Sequence, residues 1–220
     1  MATAITRATI LATIRFRGDC QNVRKFPSAD LYKEMQTAFG QFYQLVEQCN
    51  EGWWDTQANV STVASQAYIA APADAWIVKA VDRMDGTTPV PLMKVGISQR
   101  NHFGTSTGKP VAYRMSARGL ELYQTPGAIY TLRVTYAPLA PEIGDTAREY
   151  YTGWEDYVIE KTLLELAQRE GKPLDVHMKK LGAIEAMVKA GASNRDGQEP
   201  DYLVLREYEG GGTSDEWKGG

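Results

Sequence analysis

Apolar positions along residues 28–50 recur with the period of an α-helix. Leu31, Met35, Ala38, Phe39, Phe42, Leu45, Val46 and Cys49 fall on one stripe. Pro27-Ser28 supplies a start signal with Ser28 as the expected N-cap, and the helix would run about 35 Å. A weaker helix precedes it over Thr3–Arg17, with Ile5, Ala8, Leu11 (or Ile10) and Ile14 on one side and Gly18-Asp19 as the stop. From about Val60 the period shortens. Trp76–Val81, Val90–Val95, Val111–Met115, Leu120–Tyr123 and Ile129–Tyr136 are β-branched and aromatic, separated by Asp85-Gly86, Arg118-Gly119 and Thr125-Pro-Gly127. Such runs predict short antiparallel strands, with Ser98–Pro110 as an exposed loop. Helix returns after Pro138 and Pro141. Glu149–Glu170 carries apolar residues on more than one face, as in a helix packed on two sides. Leu174, Met178, Leu181, Ile184 and Val188 mark a final helix that fades at Gly191.

The expected fold is α+β. Helices from the two ends of the chain each offer an apolar stripe and should pack on one another as an antiparallel bundle. The chain then divides into N-terminal bundle helices (1–59), an inserted antiparallel β domain (60–142), C-terminal bundle helices (143–193) and an extended C-terminal arm (194–220). The arm is polar, Gly-rich and acidic, yet has Tyr202-Leu-Val-Leu205 at its centre. Ordering about 25 residues costs about 1–2 kcal/mol each in backbone entropy. Burying Leu203, Val204 and Leu205 returns only about 1.5–3 kcal/mol each. Such an arm orders on a partner, where Tyr202–Tyr208 could add a strand to an open sheet edge.

Composition narrows the function classes. A hydrophobic fraction of 43% and a charged fraction of 23% are those of an ordinary globular protein. No run approaches the roughly 20 apolar residues of a membrane span, and the N-terminus lacks the order of a secretion signal, so a cytoplasmic product with no membrane partner is expected. Cys20 and Cys49 are then free thiols. The net charge of −3 hides opposite ends. Residues 1–27 hold Arg7, Arg15, Arg17, Arg24 and Lys25 against Asp19, whereas 196–220 hold seven acidic residues against Arg206 and Lys218. That asymmetry suits head-to-tail contacts between copies.

Catalytic and metal signatures are missing from the sequence. His102 and His177 lie in different segments, without Cys, Asp or Glu at ligand spacing. There is no G-x-S-x-G elbow and no phosphate loop, so no catalytic residue, no metal and no cofactor is expected. Trp53-Trp54 could stack on sugars or bases. The simpler reading places the pair at the joint where the long helix meets the strands. A dedicated nucleic-acid binder would need denser Lys/Arg than the N-terminal segment provides.

Four stretches, "YIAAPADAWIVKAVDRMDG" (68–86), "GKPVAYRMSARGLELYQTPGAIYTLRVTYAP" (108–138), "GWEDYVIEKTLLELAQREGK" (153–172) and "NRDGQEP" (194–200), give the chain an order that resembles tailed-bacteriophage head-to-tail adaptor (connector) proteins. The resemblance covers about residues 28–200. It implies a structural virion protein at the neck: a homo-oligomeric ring, usually of twelve copies, that binds the portal protein and a downstream neck or tail protein. Double-stranded DNA would pass through its channel without sequence-specific contact. On this resemblance Tyr202, Leu203, Val204, Leu205, Arg206 and Tyr208 form the portal- or neighbour-docking arm. Asn101, His102, Phe103 and Lys109 form a tail-side loop. Arg15, Arg17, Arg24 and Lys25 serve protein interfaces more than DNA, since phosphate contacts in a channel wall would add salt-dependent friction. Alternatives are another neck or tail ring, such as a head-closure or tail-terminator protein, or a glycan- or nucleic-acid-binding module using Trp53-Trp54 and the 98–110 loop.

Overall fold

The computed structural model describes residues 6–49, 52–103, 106–144 and 153–193. Its four α-helices are α1 (Arg7–Arg17), α2 (Ser28–Cys49), α3 (Trp154–Arg169) and α4 (Asp175–Ser193). The Thr6 side chain caps α1 by accepting from the Thr9 N–H at 3.2 Å. At the other end Gly18 donates to the Ile14 carbonyl at 2.9 Å, and Asp19, at φ 54°, takes the left-handed turn. Gly18 is needed for a different reason from the one its position suggests. A Cβ there would lie 2.8 Å from Leu163 Cδ2, so the bare backbone lets α1 close onto α3.

The stripe on α2 is buried as its period predicts, through Leu31, Met35, Ala38, Phe39, Phe42 and Val46. Ser28 is not its N-cap. It is the first helical residue, the Pro27 carbonyl takes the N–H groups of Asp30 and Leu31, and the Ser28 hydroxyl accepts from Arg15 Nη2 at 3.1 Å. Burial on α3 covers two faces, from Trp154 through Tyr157–Glu160 and Thr162-Leu163 to Leu166-Ala167. The expected start of this helix, from Glu149, lies outside the described residues. On α4, Leu181 and Val188 are buried, whereas Met178 stands exposed. All four helices contribute to one hydrophobic cluster, so segments from both ends of the chain share a core.

Between α2 and α3 run β1 (Thr56–Ser61), β2 (Tyr68–Ile69), β3 (Ala75–Asp85), β4 (Thr88–Pro91), β5 (Met93–Lys94), β6 (Thr107–Gly108), β7 (Ala112–Ser116), β8 (Gly119–Tyr123), β9 (Thr125–Pro126) and β10 (Thr131–Pro138). One sheet has the order β1-β10-β3-β4 and is antiparallel throughout; a second has the order β2-β8-β7-β5. The mixed α+β class is as expected. The strands are not all antiparallel, however, because β5 pairs parallel to β7 and β6 parallel to β9. Pro91 ends β4, Leu92 turns inward, and the chain reaches β7 only after a crossover. That crossover also corrects the expected 98–110 loop. It contains a 3-10 helix (Ile97–Phe103) and β6, and Phe103 anchors it with its ring 5.7 Å from that of Tyr123.

Alternation along β10 buries Leu132, Val134 and Tyr136. These meet Val78 and Val81 of β3 and, from the second sheet, Ile69, Tyr113, Leu120 and Leu122 in a second cluster. The two hairpins turn on two residues each, Gly86-Thr87 between β3 and β4 and Ala117-Arg118 between β7 and β8. Gly119, at φ 108°, has no substitute: a Cβ there would lie 2.3 Å from the Ile69 carbonyl oxygen and break the β2–β8 pairing.

Candidate functional site

Two polar networks and one sheet edge stand out among the described residues. The first network joins helix to strand. Tyr43 and Glu47 on α2 lie one turn apart, on the flank of the apolar stripe, and both are buried. The Trp54 ring stacks on Tyr43 with centroids 4.4 Å apart, its Nε1–H donates to the Tyr43 carbonyl at 3.3 Å, and Trp53 stands edge-on to Trp54. Trp76 of β3 approaches the same tyrosine at 6.2 Å. The tryptophan pair thus sits at the helix–strand joint. Lys79 of β3 enters this apolar surround with its ammonium 2.7 Å from Asp55 and paired to Glu47 as well. Burial works to lower its pKa, but the bonds to Asp55 and Glu47 outweigh burial and raise it. Burial, reinforced by the two carboxylates, pushes the Tyr43 hydroxyl pKa far up.

The second network ties three helices. Glu160 on α3, with a side chain 4% exposed, takes Arg17 of α1 at 3.3 Å, His177 Nδ1 of α4 at 2.9 Å and Lys180 of α4 at 3.2 Å. Burial opposes its charged form, yet the hydrogen bonds from His177 and Lys180 prevail and hold its pKa below the ordinary 4.5. An ionised carboxylate only accepts, so His177 Nδ1 carries the proton in this bond. With the folded pKa depressed, the stabilisation is complete above the unfolded value near 4.5 and is lost as pH falls through the folded one. Glu160→Gln is expected to lose about 2–3 kcal/mol at neutral pH, from weakened charge-assisted bonds. The deficit relative to wild type should shrink in chemical-denaturation curves recorded below pH 4; a deficit independent of pH would contradict the assignment.

The basic residues singled out from the sequence are largely engaged within the chain. Arg15 donates to the Cys20 and Phe26 carbonyls and to Ser28, bracing the turn into α2. Arg17 meets Glu160, and Lys25 pairs with Glu170 over the Phe26 ring. Arg24 is exposed. Of the loop set, Asn101 lies in the 3-10 helix, His102 is exposed, Phe103 is half-buried, and Lys109 stands 3.5 Å from Asp85. The structure therefore does not gather these residues into one polar site. The arm residues Tyr202, Leu203, Val204, Leu205, Arg206 and Tyr208 lie outside the described residues. Among the described residues no group of His, Cys, Asp and Glu could hold a metal ion, and no helix is long and apolar enough to cross a membrane.

Sequence reasoning missed the edge of the first sheet. β1 is six residues long and pairs only with β10 among the described strands, whereas the opposite edge, β4, carries Pro89 and Pro91. In Thr-Gln-Ala-Asn-Val-Ser the sequence offered only Ala58 and Val60 alternating with polar residues, too faint a signal to read as a strand.

Among the described residues, a helix core is joined to the sheets by a buried ion network, and β1 stands at a sheet edge. The family model for the SU10 adaptor protein matches residues 6–198, and the chain belongs to that family of phage head-to-tail adaptors. It is a structural component of a phage particle that interacts with other virion proteins. Among curated proteins no match is found.

Proposed function

We propose that this chain is one subunit of a homo-oligomeric ring, of twelve copies, that joins the portal protein to the neck or tail and extends the DNA channel. The observation that carries this reading is the adaptor-family match across nearly the whole described chain. The shared core of α1, α2, α3 and α4 supports an antiparallel bundle built from the two ends of the chain, about 1–59 and 143–193, with about 60–142 inserted as a β domain whose first strand, β1, begins a few residues earlier, at Thr56. Residues 194–220 then form an extended arm that docks on the portal or on a neighbouring copy. The loop around His102 and Phe103 faces the next neck or tail component. The channel passes double-stranded DNA without reading it. The own-chain pairing of Arg15, Arg17 and Lys25 supports a protein-facing rather than DNA-facing role for the basic segment. The protein is made in the host cytoplasm and takes its place at the neck of the virion.

Removing everything after Gly197 is expected to leave a folded protein, since the helical core and the strand core are built among residues 10–188. The truncated protein should fail to attach to portal-containing heads, with the full chain attaching in parallel. Tailed, DNA-retaining particles made with the truncated protein would sink the arm assignment.

A further inference from the structure

We infer that the outer edge of β1, Thr56–Ser61, receives the strand Tyr202–Tyr208 of a second copy of this chain, an inference that rests on the ring reading above. An edge strand leaves alternate backbone N–H and C=O groups pointing away from its single partner, and such edges are normally short, charged or interrupted by proline. Among the described strands, the other edges of the two larger sheets are protected in those ways. In the first sheet β4 reads Thr-Pro-Val-Pro; in the second, β2 and β5 are two residues each, and β5 includes Lys94. β1 has none of these devices: it is six residues long, with no proline and no charge. Its inward side chains Ala58 and Val60 pack against the second cluster, which holds the strand rigid, while Gln57, Asn59 and Ser61 face outward.

The occupant follows from the remaining chain. Tyr-Leu-Val-Leu-Arg-Glu-Tyr (202–208) is rich in strand-forming residues, lacks proline and glycine, and matches the edge in length. The described helix that leads toward it also ends on the right side of the molecule. Met187, near the end of α4, packs against Gly153, next to Trp154. The Trp154 ring meets Phe39, one turn from Tyr43 and its contacts to Trp54 and Trp76. The chain therefore leaves α4 on the side where helices and strands join. The nine residues from Ser193 to Tyr202 span up to about 30 Å, enough to reach across a subunit boundary. Exchange between copies gives each subunit one donor strand and one acceptor edge, the heterologous contact that closes into a ring. Docking within one chain would fill the edge without linking anything.

Cysteine pairing on portal-bearing heads tests this with the full chain, in a Cys49→Ser background that leaves only the buried Cys20. Asn59→Cys is combined in turn with Leu203→Cys, Val204→Cys, Leu205→Cys and Arg206→Cys, and Thr88→Cys on β4 replaces Asn59→Cys as the control. After mild oxidation at least one β1 combination should give about tenfold more inter-subunit disulfide ladder than its β4 control. Amide exchange across Thr56–Ser61 of the unmodified chain should independently slow by about tenfold or more on assembly. Disulfides confined to single chains would overturn the second-copy assignment. Absence of both the β1 preference and the protection, with the protein still attached to heads, would overturn the edge and leave the adaptor reading standing. Failure of the unmodified chain to attach at all would remove the reading and this inference together.

Discussion

Lys79→Met is expected to destabilise the protein by about 3–5 kcal/mol, because it leaves two carboxylates facing each other without their cation. Glu47 and Lys79 have side chains 6% and 12% exposed, so water cannot substitute for the lost ammonium as it would at a surface pair. In a chain of this size a loss of that order lowers the melting temperature by about 6–20 °C, which calorimetry would read directly. The methionine keeps the length and most of the packing of the lysine stem, so the effect isolates charge. Adding Glu47→Gln to Lys79→Met should recover part of the loss, since one unpaired charge is removed with its partner gone. A single substitution costing less than about 1 kcal/mol would place this network at the level of an exposed pair. The pH dependence has a definite sign. Since the folded pKa of Lys79 is raised above 10.5, its contribution is complete below that value and is lost as pH rises through the folded pKa. Wild type should therefore lose stability in strong alkali by a component that Lys79→Met lacks.

How much of this was legible in the sequence depends on whether a feature has a period. The α2 stripe, from Leu31 to Val46, was readable because a helix repeats its buried face every three to four residues. Strands β3, β7, β8 and β10 were readable because branched and aromatic runs sit between turn residues. β1 escaped because only Ala58 and Val60 point inward, too few to register as alternation beside polar neighbours. The 3-10 helix at Ile97–Phe103 escaped because, among its described side chains, only Phe103 packs inward. Neither polar network had any local signal. Glu47, Asp55 and Lys79 come from α2, the connection before β1, and β3, and Arg17, Glu160 and the pair His177 and Lys180 come from three helices. Only the fold brings them together. The adaptor family was legible from the order of elements, which survives changes in individual residues.

Phe39→Ala should be the most damaging substitution in the helical core, at about 3–5 kcal/mol. Its ring is wholly buried and meets Trp154 edge-on at 5.6 Å and Tyr43 at 6.4 Å. The site can collapse little. Trp154 is fixed at the start of α3, and Tyr43 is held by its stack on Trp54. The cavity is therefore expected to persist, which puts the loss toward the upper part of the range. Urea unfolding should show a lower midpoint at unchanged slope, because the surface exposed on unfolding hardly changes. Phe39→Leu, which keeps most of the volume, should cost about 1.5 kcal/mol or less. The pair also separates stability from docking. Phe39 is 0% exposed and so presents no surface for docking, and Phe39→Ala should still attach to portal-bearing heads at low temperature and lose attachment only as it unfolds on warming. The arm truncation, in contrast, should fail at every temperature while its urea midpoint stays near wild type. If Phe39→Ala abolished attachment in the cold while remaining folded, α2 would itself belong to the docking surface.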